Sequence, residues 1–170
     1  MPQIKTETSK YKETLVTPDR KNKWEPYKDK KQIQLVRAAF LEIDNKLIAN
    51  NKILKTCNAA FKKLPGRRDF ATIWKDPGIW ISFNPNPEKG LYGMWFKNDI
   101  SIAAYVFTII DPIRWIAGTL IHELAHFNGA PGGWTDNKEA ESTLPPCGFD
   151  DVYNPVTVGM IRRPTNVHVA

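Results

Sequence analysis

The segment between Asp111 and Gly129 constrains the fold more than any other part of this 170-residue chain. Asp111 can cap a helix, and Pro112 suits the first helical position because its missing N–H would have no partner there. Apolar residues then recur at helical spacing as far as Gly129, with no further proline among them. The sequence therefore predicts one long helix with an apolar stripe that faces a core. The stripe consists of Ile113, Ile116, Leu120, Leu124 and Phe127.

Two of the three histidines of the chain lie in this helix, in the pattern HExxH formed by His122, Glu123 and His126. Side chains four residues apart project from the same side of a helix, so the two imidazoles can bind one tetrahedral zinc ion. Glu123 can then take a proton from a zinc-bound water, whose pKa the metal lowers to about 7. A histidine pair and a glutamate in an apolar helix would be costly to bury without a metal. The pattern therefore predicts a Zn²⁺ site with His122 and His126 as ligands and Glu123 as general base.

Two histidines leave such a zinc ion one protein ligand short. A third histidine six residues beyond the motif is excluded, because that position holds Gly132. His168 lies close to the C-terminus, where chains fray, and is a poor candidate. The third ligand is therefore expected to be acidic.

Three acidic residues follow the motif at a suitable distance, and helical geometry ranks them. On a helix beginning near Asp136, Glu141 shares the inward face with Ala140 and Leu144, whereas Glu139 points to solvent. Asp136 has a structural role available as the cap of that helix. We predict Glu141 as the third ligand, with Asp136 as the alternative.

A zinc-dependent hydrolase also needs a side-chain donor that helps the metal to stabilise the oxyanion of the transition state. Tyr153 is the nearest tyrosine downstream of the motif, and it lies in a predicted loop. We take Tyr153 as the candidate catalytic donor. The alternative is a packing aromatic residue.

The chain before this helix predicts an α+β fold. Residues 32–50 and 53–64 have apolar residues at helical spacing, and residues 69–75 suggest a further helical turn. Three segments rich in aromatic and β-branched residues follow, at 79–83, 91–96 and 100–108, and the last two are spaced as a hairpin. We therefore expect N-terminal helices, a small, mostly antiparallel sheet and then the helix that carries HExxH.

Residues 1–31 are polar, contain three prolines and hold nine basic and five acidic residues, so they carry +4 of the net charge of +6. We predict a flexible basic arm over 1–31 and one domain over 32–170. A basic arm can contact nucleic acid or an anionic cell envelope. Because no arginine-rich run or nucleic-acid-binding motif accompanies it, we expect no specific nucleic-acid partner.

Composition and cysteine content narrow the class of protein further. A chain with 42% hydrophobic and 25% charged residues is typical of a globular domain, not of a disordered or fibrous protein. No apolar run approaches the roughly 20 residues of a membrane span, and the first residues lack the hydrophobic core of a secretory signal. Cys57 and Cys147 can pair in an oxidising compartment or remain buried thiols, and the sequence leaves both open.

The stretch from Asp111 to Ile161 resembles the zinc metallopeptidase domains of bacterial secreted effectors, such as those carried by type VI secretion spikes. The resemblance is carried by IHELAHFNGAPGG and by the later elements AE, CGF and YNPVTVG. It implies a zincin-like domain over 32–170, a monomeric antibacterial toxin that hydrolyses peptide bonds in a protein or peptide substrate, and Glu141 as the zinc ligand. It also implies export by a signal-less route from the cytoplasm of the producer to a target cell, with the periplasm as a compartment of action. A secretion-spike carrier and an immunity protein would then be its partners.

A weaker likeness is to the deuterolysin, or aspzincin, peptidases, in which HExxH is followed by a Gly-Gly-Thr-Asp element. In this chain Trp134 separates Gly132-Gly133 from Thr135-Asp136. This likeness implies Asp136 as the zinc ligand instead of Glu141.

Two other functions compete with that of a peptidase toxin. A zinc amidase or peptidase that acts on peptidoglycan peptides is favoured by the basic arm, since the envelope is anionic. A non-catalytic, metal-stabilised binding module would also contain the two histidines, but it would not need the intact Glu123.

Overall fold

The computed structural model describes residues 1–17, 22–132 and 137–152, and within them the fold is α+β with five helices and a small mixed sheet. The helices are α1 (Lys30–Ile43), α2 (Asn51–Lys62), α3 (Phe70–Trp74), α4 (Pro112–Phe127) and α5 (Lys138–Glu141). A π-helical segment, Asp44–Ile48, continues α1, and 3₁₀ turns occupy Ala104–Thr108 and Pro145–Cys147. The helices predicted in the first half of the chain are therefore present, each within a few residues of its expected bounds.

Six strands form two sheets in the described residues. They are β1 (Gln3–Ile4), β2 (Leu15–Val16), β3 (Lys23–Trp24), β4 (Trp80–Asn84), β5 (Gly93–Phe96) and β6 (Asp99–Ala103). The larger sheet has the order β1-β4-β6-β5, and β2 and β3 form a separate antiparallel pair. The predicted hairpin of β5 and β6 is confirmed, although the helical turn Ala104–Thr108 replaces the end of the expected strand.

The expectation of a mostly antiparallel sheet is wrong. In the larger sheet β1 and β6 both run parallel to β4, and only β5 and β6 pair antiparallel. The reason is the connection 85–92, which carries the chain past the position of β6 to the far edge. The chain therefore runs through β5 in the direction opposite to β4. After the hairpin turn it reverses again, and β6 lies between β5 and β4 and runs parallel to β4.

The described part of residues 1–31 is packed into the domain, so the prediction of a flexible arm is wrong for it. β1 is an edge strand of the larger sheet, where Gln3 and Ile4 pair with β4. Lys5 is fully buried, and so are Trp24 and Tyr27. Strands of two residues are too short to show a period in the sequence, so their pairing depends on the sheet that receives them.

The predicted helix α4 is confirmed and lies at the centre of the fold. The side chain of Asp111 accepts a hydrogen bond from the backbone N–H of Arg114, and Pro112 occupies the first helical turn. α4 packs against α1 on one side and against β5 and β6 on the other. Every residue from 116 to 126 is buried, so the HExxH motif lies inside the molecule.

A disulfide joins Cys57 to Cys147, and so the structure selects one of the two states that the sequence left open. Cys57 lies in α2 and Cys147 in the last 3₁₀ turn, 90 residues further along the chain. The bond therefore ties α2 to the segment after α5. In the part of the chain that the structure describes, no helix is both long and apolar enough to cross a membrane.

Candidate metal centre

The two motif histidines bring their ring nitrogens together on one face of α4. Nε2 of His122 lies 3.0 Å from Nε2 of His126, and the two rings are inclined at 74°. A tetrahedral zinc ion with Zn–N bonds of about 2.0–2.1 Å separates two nitrogen ligands by about 3.3–3.4 Å. If the two Nε2 atoms moved apart by about 0.3–0.4 Å, both rings could bind one ion.

The orientation of His126 is set by the loop that follows α4. Its Nδ1 atom lies 3.1 Å from the carbonyl oxygen of Ala130. A carbonyl oxygen only accepts hydrogen bonds, so Nδ1 carries the proton and Nε2 keeps the lone pair that a metal needs. Gly129, with φ of +89°, turns the chain so that Ala130 comes back over the end of the helix. The sequence predicts the end of the helix at this glycine, and the structure adds its role in placing Ala130.

Glu123, the residue that follows His122 in the chain, has a fully buried carboxyl group. Neither of its oxygen atoms has a hydrogen-bond partner among the residues that the structure describes. Burial raises the pKa of Glu123 well above its usual range. A buried carboxylate without a partner is costly, and a cation bound by the adjacent imidazoles would offset that cost. The two converging imidazoles therefore fit a divalent metal.

Strand β5 approaches the site closely because residue 93 is a glycine. A Cβ atom at Gly93 would lie 2.5 Å from the methyl group of Thr119 and 3.1 Å from Oε1 of Glu123. Any larger residue would push the strand away from α4. Sequence reasoning missed this residue, although a glycine within a strand often marks a close approach of backbone to another element.

The predicted helix after the motif is present as α5, which packs against α4. Ala140 and Leu144 are buried and Glu139 is exposed, as predicted. Glu141 is partly buried at the end of α5. The inward face that the sequence assigned to this segment is therefore confirmed by its two apolar residues.

The third ligand stays a prediction. Within residues 1–17, 22–132 and 137–152, no group of three or more His, Cys, Asp or Glu side chains is arranged to hold a metal ion. The alternative ligand Asp136 and the candidate donor Tyr153 lie outside the described residues, as does His168. Of the predicted site residues, the structure brings together the ring nitrogens of His122 and His126, and it buries the carboxyl group of Glu123.

Comparisons of the chain with protein-family models, curated proteins and solved structures gave no match. Two imidazoles converge on one point, one of them with its tautomer set by a backbone carbonyl, and the residue between them that follows His122 has a buried carboxyl group. Such a set can hold a metal and accept a proton beside it.

Proposed function

We propose that the protein is a zinc-dependent metallopeptidase in which His122 and His126 hold the metal and Glu123 is the general base. The observation that carries this proposal is the convergence of two buried Nε2 atoms, 3.0 Å apart, on one helix. Bound zinc would supply Lewis-acid activation of a water and of the substrate carbonyl. Glu141 is the proposed third ligand, with Asp136 as the alternative, and Tyr153 is the proposed oxyanion donor.

Glu123 is well suited to move the proton. Its carboxyl group is buried, and its raised pKa makes the carboxylate a stronger base than an exposed glutamate. One Oε atom would accept the proton of the attacking water and later deliver it to the leaving amine. Burial destabilises the ionised carboxylate of Glu123 in the absence of a partner. The same burial raises its pKa and so suits it to act as the general base.

The position of β5 supports a peptide as substrate. β5 is one of the two edge strands of the larger sheet and runs beside α4, and in the described part of the chain it pairs only with β6. An extended peptide can bind to such an edge through main-chain hydrogen bonds. Because Gly93 of β5 adjoins Glu123, a peptide on that edge would lie close to the general base. We propose a zincin-like fold for the domain on the same grounds.

The compartment of action is proposed from the sequence resemblance and from the disulfide. The bond between Cys57 and Cys147 favours an oxidising environment, such as the periplasm of a target cell. An antibacterial role, a secretion-spike carrier and an immunity protein follow from the resemblance alone. Growth arrest when a bacterial host exports the wild-type chain, but not the E123Q variant, would support the toxic role.

The enzymatic proposal is tested by measuring bound zinc and proteolysis in the same preparations. We expect one zinc ion per chain, and Glu123→Gln should keep the zinc while proteolysis of a denatured protein falls by about 10²-fold or more. His122→Ala should lose both. Glu139→Gln, which removes an exposed carboxylate from α5, is the matched control and should keep both.

Two results would overturn the proposal. The first is full proteolytic activity in Glu123→Gln, and the second is a zinc content that does not change in His122→Ala. Purified peptidoglycan as a second substrate separates a peptidase of proteins from an amidase of the cell wall. An anomalous-scattering map of the zinc-loaded protein would identify the third ligand.

A further inference from the structure

The net positive charge of the molecule is concentrated in α2 and the loop after it. Residues 51–68 contain six basic residues and no acidic one, so their net charge of +6 equals that of the whole chain. The rest of the chain is therefore neutral in sum, and the excess charge of residues 1–31 is balanced elsewhere. We call the six residues the α2 basic surface: Lys52, Lys55, Lys62, Lys63, Arg67 and Arg68.

The lysines of this surface form one stripe along the helix. At 3.6 residues per turn, the four lysines between positions 52 and 63 lie within an arc of about 100°. All four are exposed, while Cys57 and Phe61 on the opposite face are buried. Among the residues that the structure describes, only Lys62 of the four is in an ion pair, with Asp69 at 3.6 Å. Most of this charge is therefore available to a binding partner.

Arg68 connects the stripe to the helix that bears the candidate metal ligands. The guanidinium of Arg68 donates to the carbonyl oxygen of Phe127 at 3.0 Å and lies over its ring, 4.5 Å from the centroid. Phe127 directly follows His126 in the chain. Arg67 is exposed and has φ of +53°, a left-handed conformation that L-residues rarely adopt. The loop thus holds the positive charge of Arg68 next to the end of α4.

The side chains, setting and length of the α2 basic surface indicate which class of anion it can bind. Its exposed residues include no aromatic ring on which a nucleic-acid base could stack. The apolar face of α2 is buried in the core, so the helix cannot insert into a lipid surface as an amphipathic helix does. From Lys52 to Lys63 the helix rises about 16 Å, the length of about five residues of extended polypeptide.

We propose that the α2 basic surface binds an acidic segment of a polypeptide substrate and so holds that substrate beside the metal centre. The expected effect of this binding on peptide cleavage rests on the proposed peptidase function. The binding of the acidic segment itself does not depend on that function. The surface and such a segment are complementary in charge, because carboxylates along an extended peptide would lie opposite a stripe of lysines and an arginine. This attraction would raise the concentration of acidic polypeptides near the protein.

Binding is tested by fluorescence anisotropy with a labelled peptide of about eight glutamates. The test variant is K52Q/K55Q/K63Q/R67Q. The control is K10Q/K12Q/K30Q/K31Q, which removes the same charge from exposed lysines elsewhere. We expect the test variant to bind about tenfold or more weakly and the control to change by less than about twofold. Binding by the wild-type chain should weaken as NaCl rises from about 0.05 to about 0.3 M.

Catalysis is tested with peptides that share one cleavable core and carry either four glutamates or four glutamines at one end. The wild-type chain should cleave the acidic peptide with a higher kcat/KM, by about tenfold, and the test variant should lose that preference while still cleaving the neutral peptide. If the wild-type chain cleaves no peptide, the peptidase function fails, but the anisotropy measurement still decides whether the surface binds acidic peptide.

Three outcomes would overturn the inference. One is an equal loss of peptide binding in the test and control variants, which would show a general effect of net charge. The others are tighter binding of duplex DNA, or of vesicles containing anionic lipid, than of the glutamate peptide. Either of these would assign the α2 basic surface to another class of partner.

Discussion

At the scale of single residues, Asn128 does the most to fix the end of the helix that carries the motif. Its side chain is fully buried, and its Nδ2 atom donates to the carbonyl oxygens of Phe61 and Arg68, both at 2.9 Å. Its own carbonyl oxygen accepts from the backbone N–H of Gly66 at 2.8 Å. One amide therefore satisfies backbone groups of two segments that are about sixty residues away in the chain.

We expect Asn128→Ala to lower the free energy of unfolding by about 2–3 kcal/mol, because the carbonyl groups of Phe61 and Arg68 each lose a hydrogen bond from its buried side chain. Urea denaturation measures this change. Asn51→Ala removes an exposed amide from α2 and is the control, with an expected change below about 0.5 kcal/mol. Equal stability of the two variants would contradict this account of Asn128.

At the scale of elements, the two-residue strand β1 is held by a buried ion pair. Nζ of Lys5, the residue after β1, binds Oδ2 of Asp99 at the start of β6. Oδ1 of Asp99 also accepts a hydrogen bond from Ser82 of β4 at 2.6 Å. Burial raises the pKa of Asp99, although Lys5 and Ser82 act in the opposite direction. One carboxylate thus joins three strands of the larger sheet.

We expect Lys5→Met to destabilise the fold by about 3–5 kcal/mol, because it leaves the buried carboxylate of Asp99 without its cation. The double variant K5M/D99N removes both charges and should be more stable than K5M alone. A double-mutant cycle of K5M, D99N and K5M/D99N, measured by urea denaturation, gives the coupling free energy between Lys5 and Asp99. Additive effects of the two substitutions would show that the pair is not coupled.

The elements that the sequence predicts well are those with local signals. α2, α3 and α4 each begin at a residue whose side chain accepts a hydrogen bond from the first turn, namely Asn50, Asp69 and Asp111. Such caps act within a few residues, so they are visible in the sequence. The strands β1, β2 and β3 have no comparable signal, since each has two residues and is formed by its pairing.

At the scale of the whole molecule, the disulfide connects α2 to the 3₁₀ turn after α5. Cys57 and Cys147 close a loop that contains β4, β5, β6 and α4. The cross-link therefore restricts the unfolded chain over most of the elements that form the candidate metal centre. It also holds α2, with its basic surface, against the segment that follows α5.

We expect C57A/C147A to lower the free energy of unfolding by about 3–5 kcal/mol, because a closed loop of this length limits the entropy of the unfolded chain. Thermal unfolding with and without a reductant measures the effect. The reductant should lower the Tm of the wild-type chain and leave that of C57A/C147A unchanged. A wild-type Tm that does not respond to a reductant able to reach the unfolded state would contradict the expectation.

The sequence by itself determined helix α4 and the presentation of its motif, because capping and the four-residue spacing of His122 and His126 are local properties of a helix. The tertiary structure alone decided the mixed sheet, the burial of Lys5, the disulfide and the carbonyl of Ala130 against His126. Most of these depend on contacts between residues far apart in the chain. The contact of Ala130 is short in sequence, but it depends on the left-handed turn at Gly129. The free energy of such contacts comes from burial and geometry, which a one-dimensional pattern does not contain.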